Sequence, residues 1–477
     1  MNLMRSLRRV QMPVTIVLLM LLVVCMAPAA WGAGASASAS PSSAAKLSVA
    51  ASVPVGKHAN AMLLAPDGKT LYVTNGNTDS GNADTTVTVI DMAAARATAT
   101  IDTHVTNPTN PRISLDGRTL LVQSGLNTNQ LVRIDTATDT VTASVQTTKL
   151  VYYAASPDAR HVVGVFADET GHKVNRIAAI DTNATGSALQ FKQLDGAFLT
   201  PVALSADGTS LYGALMATTT SQPRWVRIDT ATGSVEQDYG TAPTDMDLIH
   251  GANTLASPDG GTLYLPVSKE STTSLLLVNA ATGTVRHRLT IPLAATYLAS
   301  TPDGTVILTA DGQGKATLTD TANDKTTQVK SNVCANGYMC GLSPDGTVIY
   351  GSIADNFQLT ATDTATGTVS TVKTDAAGSE SIIISPDGSR IALNGGESID
   401  IVNTGRTIDT SSKNSKSSAS AKPTATPTHT AVQPLAWIQE HAAAGIGIIL
   451  ALIAILALPT LLILHTRRRA ATPHHRH

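Results

Sequence analysis

Charged and aromatic side chains are scarce in this chain. Asp, Glu, Lys and Arg make up 14% of its 477 residues and Phe, Trp and Tyr 3%, while hydrophobic residues reach an ordinary 43%. So little charge excludes a charged helical bundle. The net charge of -2 leaves no positive field to hold nucleic acid or an anionic membrane surface. Trp31 and Trp437 lie toward the ends, which leaves Trp225 alone in the body, too few rings for sugar platforms or base stacking. Catalytic signatures are missing too. There is no H-E-x-x-H, C-x-x-C or G-x-S-x-G, and the histidines at 58, 104, 161, 172, 250 and 287 have no ligand spacing. In Gly312-Gln313-Gly314-Lys315, Thr309 and Ala316 replace the first glycine and the Ser/Thr of a phosphate loop, so a hairpin is the better reading.

Long apolar runs occur only near the two ends. Arg5, Arg8 and Arg9 precede the run 14–26, followed by Ala27-Pro28-Ala29 and Ala33-Gly34-Ala35. This is the charged, apolar and small-residue order of a secretory signal, placed at 1–33, with an uncleaved anchor as the alternative. An Ala/Ser spacer follows at 34–45. Residues 442–464 carry no charge and as a helix would span about 34 Å, enough for a bilayer core. Arg467, Arg468 and Arg469 come directly after, so the tail 465–477 is expected in the cytoplasm and everything upstream outside. No sortase motif precedes the span. Between body and span, 405–441 is rich in Ser, Thr, Lys and Pro with little to bury, which reads as a stalk and juxtamembrane segment.

The body, 46–404, is an internal repeat. A tetrapeptide of the form Ser-Pro-Asp-Gly recurs with its aspartate at 67, 116, 158, 207, 259, 303, 345 and 387, at intervals of 42 to 52 residues. Each copy is followed by short β-branched runs such as Leu71-Tyr72-Val73-Thr74 and Val87-Thr88-Val89-Ile90-Asp91, too short for helices. Four such runs per unit predict an all-β propeller of eight four-stranded blades, with seven as the alternative. After Asp387-Gly388 the last unit is one strand short, so a strand within 46–55 is expected to complete it and close the ring.

Turn chemistry fits this arrangement. Pro presets φ at the second position and Gly accepts positive φ at the fourth, so the tetrapeptide joins the first and second strands of each blade. Asp229-Thr230-Ala231-Thr232-Gly233 and its cognates beginning at Asn279 and Asp363 read as turns between the third and fourth strands. Leu115 and Ala206 replace the proline, and Ala159 the glycine, so these turns are expected to be distorted.

Through Tyr72-Val73-Thr74-Asn75, set between Pro66-Asp67-Gly68 and Val87-Thr88-Val89-Ile90-Asp91, the chain resembles the YVTN-repeat β-propeller family of surface-layer and other secreted proteins. The resemblance implies the fold over 46–404. No motif here accepts the catalytic residues of the family's lactonase or redox relatives.

Both turn types fall on one end of a propeller, and the longer, varied loops on the other, where ligands are more often met. Acidic residues mark that variable end: Asp168 and Glu169 in one loop, Asp245 and Asp247 in another. Lys173, Arg224 and Lys269 are the fewer opposing bases. In 75–84 oxygen-bearing residues alternate as in a calcium loop, with Asn77, Asp79 and Asp84 as ligands, although the sixth-place glycine and twelfth-place Glu of an EF-hand are missing. Calcium is the one ion this suggests; no other cofactor is expected. Cys334 and Cys340 are expected to form a disulfide outside the cell. The resulting expectation is a single-pass cell-surface module that binds a cell-envelope or extracellular protein or a small ligand, without catalysis. An extracellular lactone hydrolase or redox-type enzyme is the alternative.

Overall fold

The computed structural model describes residues 46–408 apart from 77–82, 126–129, 172, 184–188, 218–221, 243–255, 258, 270–271, 292–296, 311–313, 332, 334–339, 354–356 and 377–380. All of these belong to the first of two compact units, Met1–Thr410. The signal, spacer, tail and most of the stalk lie outside the described residues, as does the expected span 442–464. Among the described residues there is no helix long and apolar enough to cross a membrane.

Every regular element described is a strand, and the strands form eight antiparallel sheets. The first comprises Ala59–Leu64, Thr70–Asn75, Thr86–Asp91 and Arg96–Asp102, hydrogen-bonded in that order. The next six cover 109–146, 150–193, 197–241, 262–291, 297–328 and 340–373. In the fifth, only Ala256, bridged to Leu263, represents the inner strand among the described residues. Ile382–Ile384, Arg390–Asn394 and Ser398–Asn403 form the eighth, and Ser48–Pro54 pairs antiparallel with Ser398–Asn403 as its outer strand. The fold is therefore an eight-bladed propeller whose last blade joins both ends of the body.

Apolar packing lies between blades. Tyr72, Val87 and Val89 of blade one pack on Leu120, Val122, Val132 and Ile134 of blade two. Across the closure, Val53, Ile399 and Ile401 of blade eight meet Met62, Leu71 and Val73 of blade one. Each fully buried Val, Leu or Ile contributes about 1.5–3 kcal/mol, so a chain poor in aromatics still binds its blades together. Trp225, fully buried in the cluster joining blades four and five, donates its indole N–H to Pro266 O at 2.5 Å. The outer strand pairs of blades one, two, four and five share a register shift, at Val89/Ile90, Arg133/Ile134, Arg227/Ile228 and Leu277/Val278. Such bulges twist an exposed edge away from foreign strands.

The tetrapeptide turns of blades two to eight are built alike. In blade seven Ser343 Oγ donates to Asp345 Oδ1 at 2.6 Å and accepts from Val348 N at 2.9 Å, while Thr347 N donates to the same aspartate oxygen at 3.2 Å. Ser205 and Asp207 repeat this in blade four, at 2.6 Å and with Ser210 N at 2.9 Å. The three substituted turns are not distorted. Gly117 N, Ala159 N and Gly208 N each reach the carbonyl three residues back at 2.8, 2.8 and 2.9 Å, as Gly346 N does at 2.8 Å. Ala159 simply takes the left-handed φ of 54°. Its cost of about 1 kcal/mol is offset by the same serine–aspartate bonding, with Ser156 Oγ donating to Asp158 at 2.7 Å.

The described chain enters and leaves at this tetrapeptide end. After the last strand, Arg406 pairs with Asp345 Oδ2 at 2.8 Å and Ile408 N donates to Asp387 O at 2.7 Å, both on tetrapeptide turns. Lys46 is adjacent, since a Cβ built on Gly405 would lie 3.1 Å from its carbonyl oxygen.

Candidate functional site

The turns of neighbouring blades touch one another at the tetrapeptide end. Leu115 N donates to Pro157 O at 2.7 Å, and Gly68, at φ +69°, sits so close to Pro386 that an added Cβ would come within 2.4 Å of its ring. That end is built from repeated turns. The variable end carries loops without a common pattern, and of the predicted site residues the described ones, Asp84, Asp168 and Glu169, fall there.

Tyr72-Val73-Thr74-Asn75 ends in a fully buried asparagine, whose Nδ2 donates to Thr86 Oγ1 at 3.0 Å and Thr88 Oγ1 at 2.8 Å on the next strand. Beside it Asp84 Oδ1 accepts from Thr85 N at 2.7 Å, Thr86 N at 3.0 Å and Thr86 Oγ1 at 2.8 Å, and Oδ2 accepts from Lys57 N at 2.8 Å. Burial by itself raises the Asp84 pKa. The hydrogen bonds from Lys57, Thr86 and Thr85 outweigh it and hold the carboxyl below its ordinary value. Gly56 has to be glycine, because a Cβ there would meet Asp84 Oδ2 at 2.3 Å and Asn75 Cβ at 2.7 Å. Asn75 and Asp84 thus brace the connection from the ring-closing strand into blade one. Only this blade receives that connection, which gives a physical reason for the motif standing here and not in the other units. Of the expected calcium ligands, Asn77 and Asp79 lie outside the described residues, and among those described no three His, Cys, Asp or Glu gather as a metal site.

In blade three the acids meet bases that sequence reading missed. The Lys149 ammonium donates to the backbone carbonyls of Asp168, at 3.0 Å, and of Glu169. Arg176 pairs with the Glu169 carboxylate, donates from Nε to Ala167 O at 3.1 Å, and lies 4.6 Å from the centre of the Phe191 ring. Phe191 in turn stands edge-on to Phe166, centroids 5.0 Å apart. The Asp168 carboxylate caps its own turn, accepting from Thr170 Oγ1 at 2.6 Å. Glu169 nevertheless keeps 85% of its side chain exposed and can still face a ligand. No local signal in the sequence joins Lys149 and Arg176 to this loop, because they arrive from the preceding connection and the following strand.

Asp245 and Asp247 lie outside the described residues. Arg224 is engaged with Asp238 on the outer strand of its own blade, so it does not oppose them as a free base. Cys340 is 2% exposed at the head of its strand, and Cys334 lies outside the described residues.

No family model matches the chain, and no curated protein matches it. Among solved structures, hydrazine synthase of Kuenenia stuttgartiensis is similar at 18% identity, covering 72% of this chain and 94% of that one with a TM-score of 0.42. That likeness transfers no activity to this chain. The propeller stands on its own strand order.

Proposed function

We propose that this protein is a membrane-anchored cell-surface propeller of YVTN-repeat type that binds a cell-envelope protein or ligand through its variable end and does no chemistry of its own. One observation carries the reading: Lys46 and 405–408 leave together from the tetrapeptide end, with Arg406 and Ile408 pinned to its turns. A stalk starting there leaves the opposite loops unobstructed, whether the N-terminal signal is cleaved or retained. Glu169 stands in one of those loops, and Asp245 and Asp247, expected in another from sequence order, add to an acidic character that favours a cationic partner or a divalent ion such as calcium.

The full-length chain tests this through salt-dependent attachment to isolated cell envelope and calcium calorimetry. Charges at exposed loops are screened within about 8 Å at physiological ionic strength, so attachment should weaken as salt rises. Joint substitution Glu169→Gln, Asp245→Asn and Asp247→Asn should lower attachment, and Asp207→Asn on the opposite end should not. Undiminished attachment of the triple variant would overturn the reading.

A further inference from the structure

A cleft of about 410 Å³ opens between the tetrapeptide turns of blades one and two, at the end opposite the loops just discussed. Asp67, Thr70 and Tyr72 line it from blade one, and Leu115, Asp116 and Thr136 from blade two. Asp67 Oδ1 accepts from Lys69 N at 2.9 Å, and Oδ2 has no partner among the described residues. Ala65 stands where the other turns place the serine, or Thr301 in blade six, that would bond this aspartate. Neither Lys69 nor Arg118, the basic residues of the two turns, lines the cleft. At its back Tyr72 is 3% exposed. Asp139 does not line the cleft but lies within electrostatic reach of that phenol, and its buried Oδ1 has no hydrogen bond among the described residues.

The same chain shows what such a cleft takes. Between blades seven and eight the equivalent positions are Asp345, Tyr350 and Thr404, and that cleft is filled by Arg406. Its guanidinium donates from Nη2 to Asp345 Oδ2 at 2.8 Å and to Thr347 Oγ1 at 2.7 Å, beside Tyr350. Thr404 Oγ1 donates to Gly388 O at 2.6 Å, as Thr136 Oγ1 does to Gly117 O at 2.5 Å, so the far walls are built alike. The Arg406 side chain is only 14% exposed there.

We infer that the cleft between blades one and two is a guanidinium-binding site, with Asp67 as its principal acceptor, Asp116 across from it, Tyr72 at the back, and Leu115 at the rim against the apolar stem. Arg406 is the internal precedent, and among the described residues none plays its part between blades one and two. Leu115, 45% exposed where proline stands in most other turns, then has a use as the apolar side of the entrance. A planar guanidinium can meet both turns at once, whereas an ammonium acts as a point charge.

The test is calorimetry on the full-length chain with N-acetyl-arginine amide, which carries the guanidinium without a free carboxylate, beside N-acetyl-lysine amide. Saturable binding of the arginine probe is expected, with Asp67→Asn and Asp116→Asn, made separately, each weakening it about tenfold or more while lowering the melting temperature no further than Asp207→Asn does. Asp207→Asn, in the turn of blade four, should leave binding unchanged. A Gly-Arg-Gly peptide that binds more tightly than the free probe identifies an arginine side chain of a protein as the natural occupant, and equal binding a small guanidinium compound. Absence of saturable binding, equal affinity for the lysine probe, or unchanged affinity in both cleft variants would overturn the assignment.

Discussion

The two ends of the propeller are held by bonds of different reach. At the tetrapeptide end the serine hydroxyls bond two residues ahead and accept from five ahead, as Ser343 does with Asp345 and Val348. At the variable end Asp84 accepts from Lys57, 27 residues away, and fully buried Asp400 accepts from Ser52, 348 residues away, and from Asp375 and Ala376 N at 2.7 and 3.1 Å. Short-range bonds repeat because each blade makes them alone. Long-range bonds differ because each loop meets a different neighbour.

The most severe way to break the contrast is to remove the element that ties the ring together. Without 46–53 the eighth blade loses its outer strand, Val53 leaves the cluster it shares with Ile399 and Met62, and Asp400 loses Ser52. The melting temperature should fall by about 10 °C or more, since several kcal/mol are lost at the closure. An unchanged melting temperature in scanning calorimetry would mean that the pairing contributes nothing to closure.

Next in size is Asp400→Ala. It leaves the N–H groups of Asp375 and Ala376 without their carboxylate acceptor at a fully buried position, a cost of about 3 kcal/mol by urea denaturation. Asp400→Asn keeps one acceptor oxygen and should cost less. Equal losses in the two variants would show that the charge, and not the acceptor, matters there.

The same contrast explains what the sequence made legible. Ser-Pro-Asp-Gly and Asp-Thr-Ala-Thr-Gly carry donor and acceptor within a few residues, so blade number, turn placement and the closing strand all followed from spacing. Asp400 was visible only as one polar residue in Ile399-Asp400-Ile401-Val402, and nothing local names Ser52 as its partner. Likewise Lys149 and Arg176 give no sign in sequence that they hold Asp168 and Glu169. Even the expectation of distorted turns went wrong for a local reason. It weighed Leu115, Ala206 and Ala159 alone, whereas the serine–aspartate pair beside each is enough to hold the turn.

Smaller again is the Cys334–Cys340 bridge, which we expect in the connection into blade seven. Such a short loop yields about 2 kcal/mol of chain entropy, so reduction should lower the melting temperature modestly and leave the blades folded. Mass spectrometry of the nonreduced chain should show a single bridge. Two free thiols would remove it from the account of this loop.

The smallest expected effect sharpens the tetrapeptide end itself. Ser205 Oγ, Thr209 N and Thr209 Oγ1, in that order of influence, lower Asp207 to a pKa of about 2. A carboxyl depressed in the folded state stabilises the fold above its unfolded pKa, near 3.8, and that contribution is lost as pH falls through about 2. Asp116, Asp158, Asp345 and Asp387 are also lowered, each with help from the serine two residues before it, so stability should decline together for all these turns below about pH 4. Ser205→Ala removes the leading cause at one turn and should cost about 1 kcal/mol at neutral pH. It should also flatten the loss between pH 4 and 2, because Asp207 would then titrate closer to its unfolded value. Parallel acid-unfolding curves for the variant and the parent would show that the serine braces the turn without acting through the aspartate's charge.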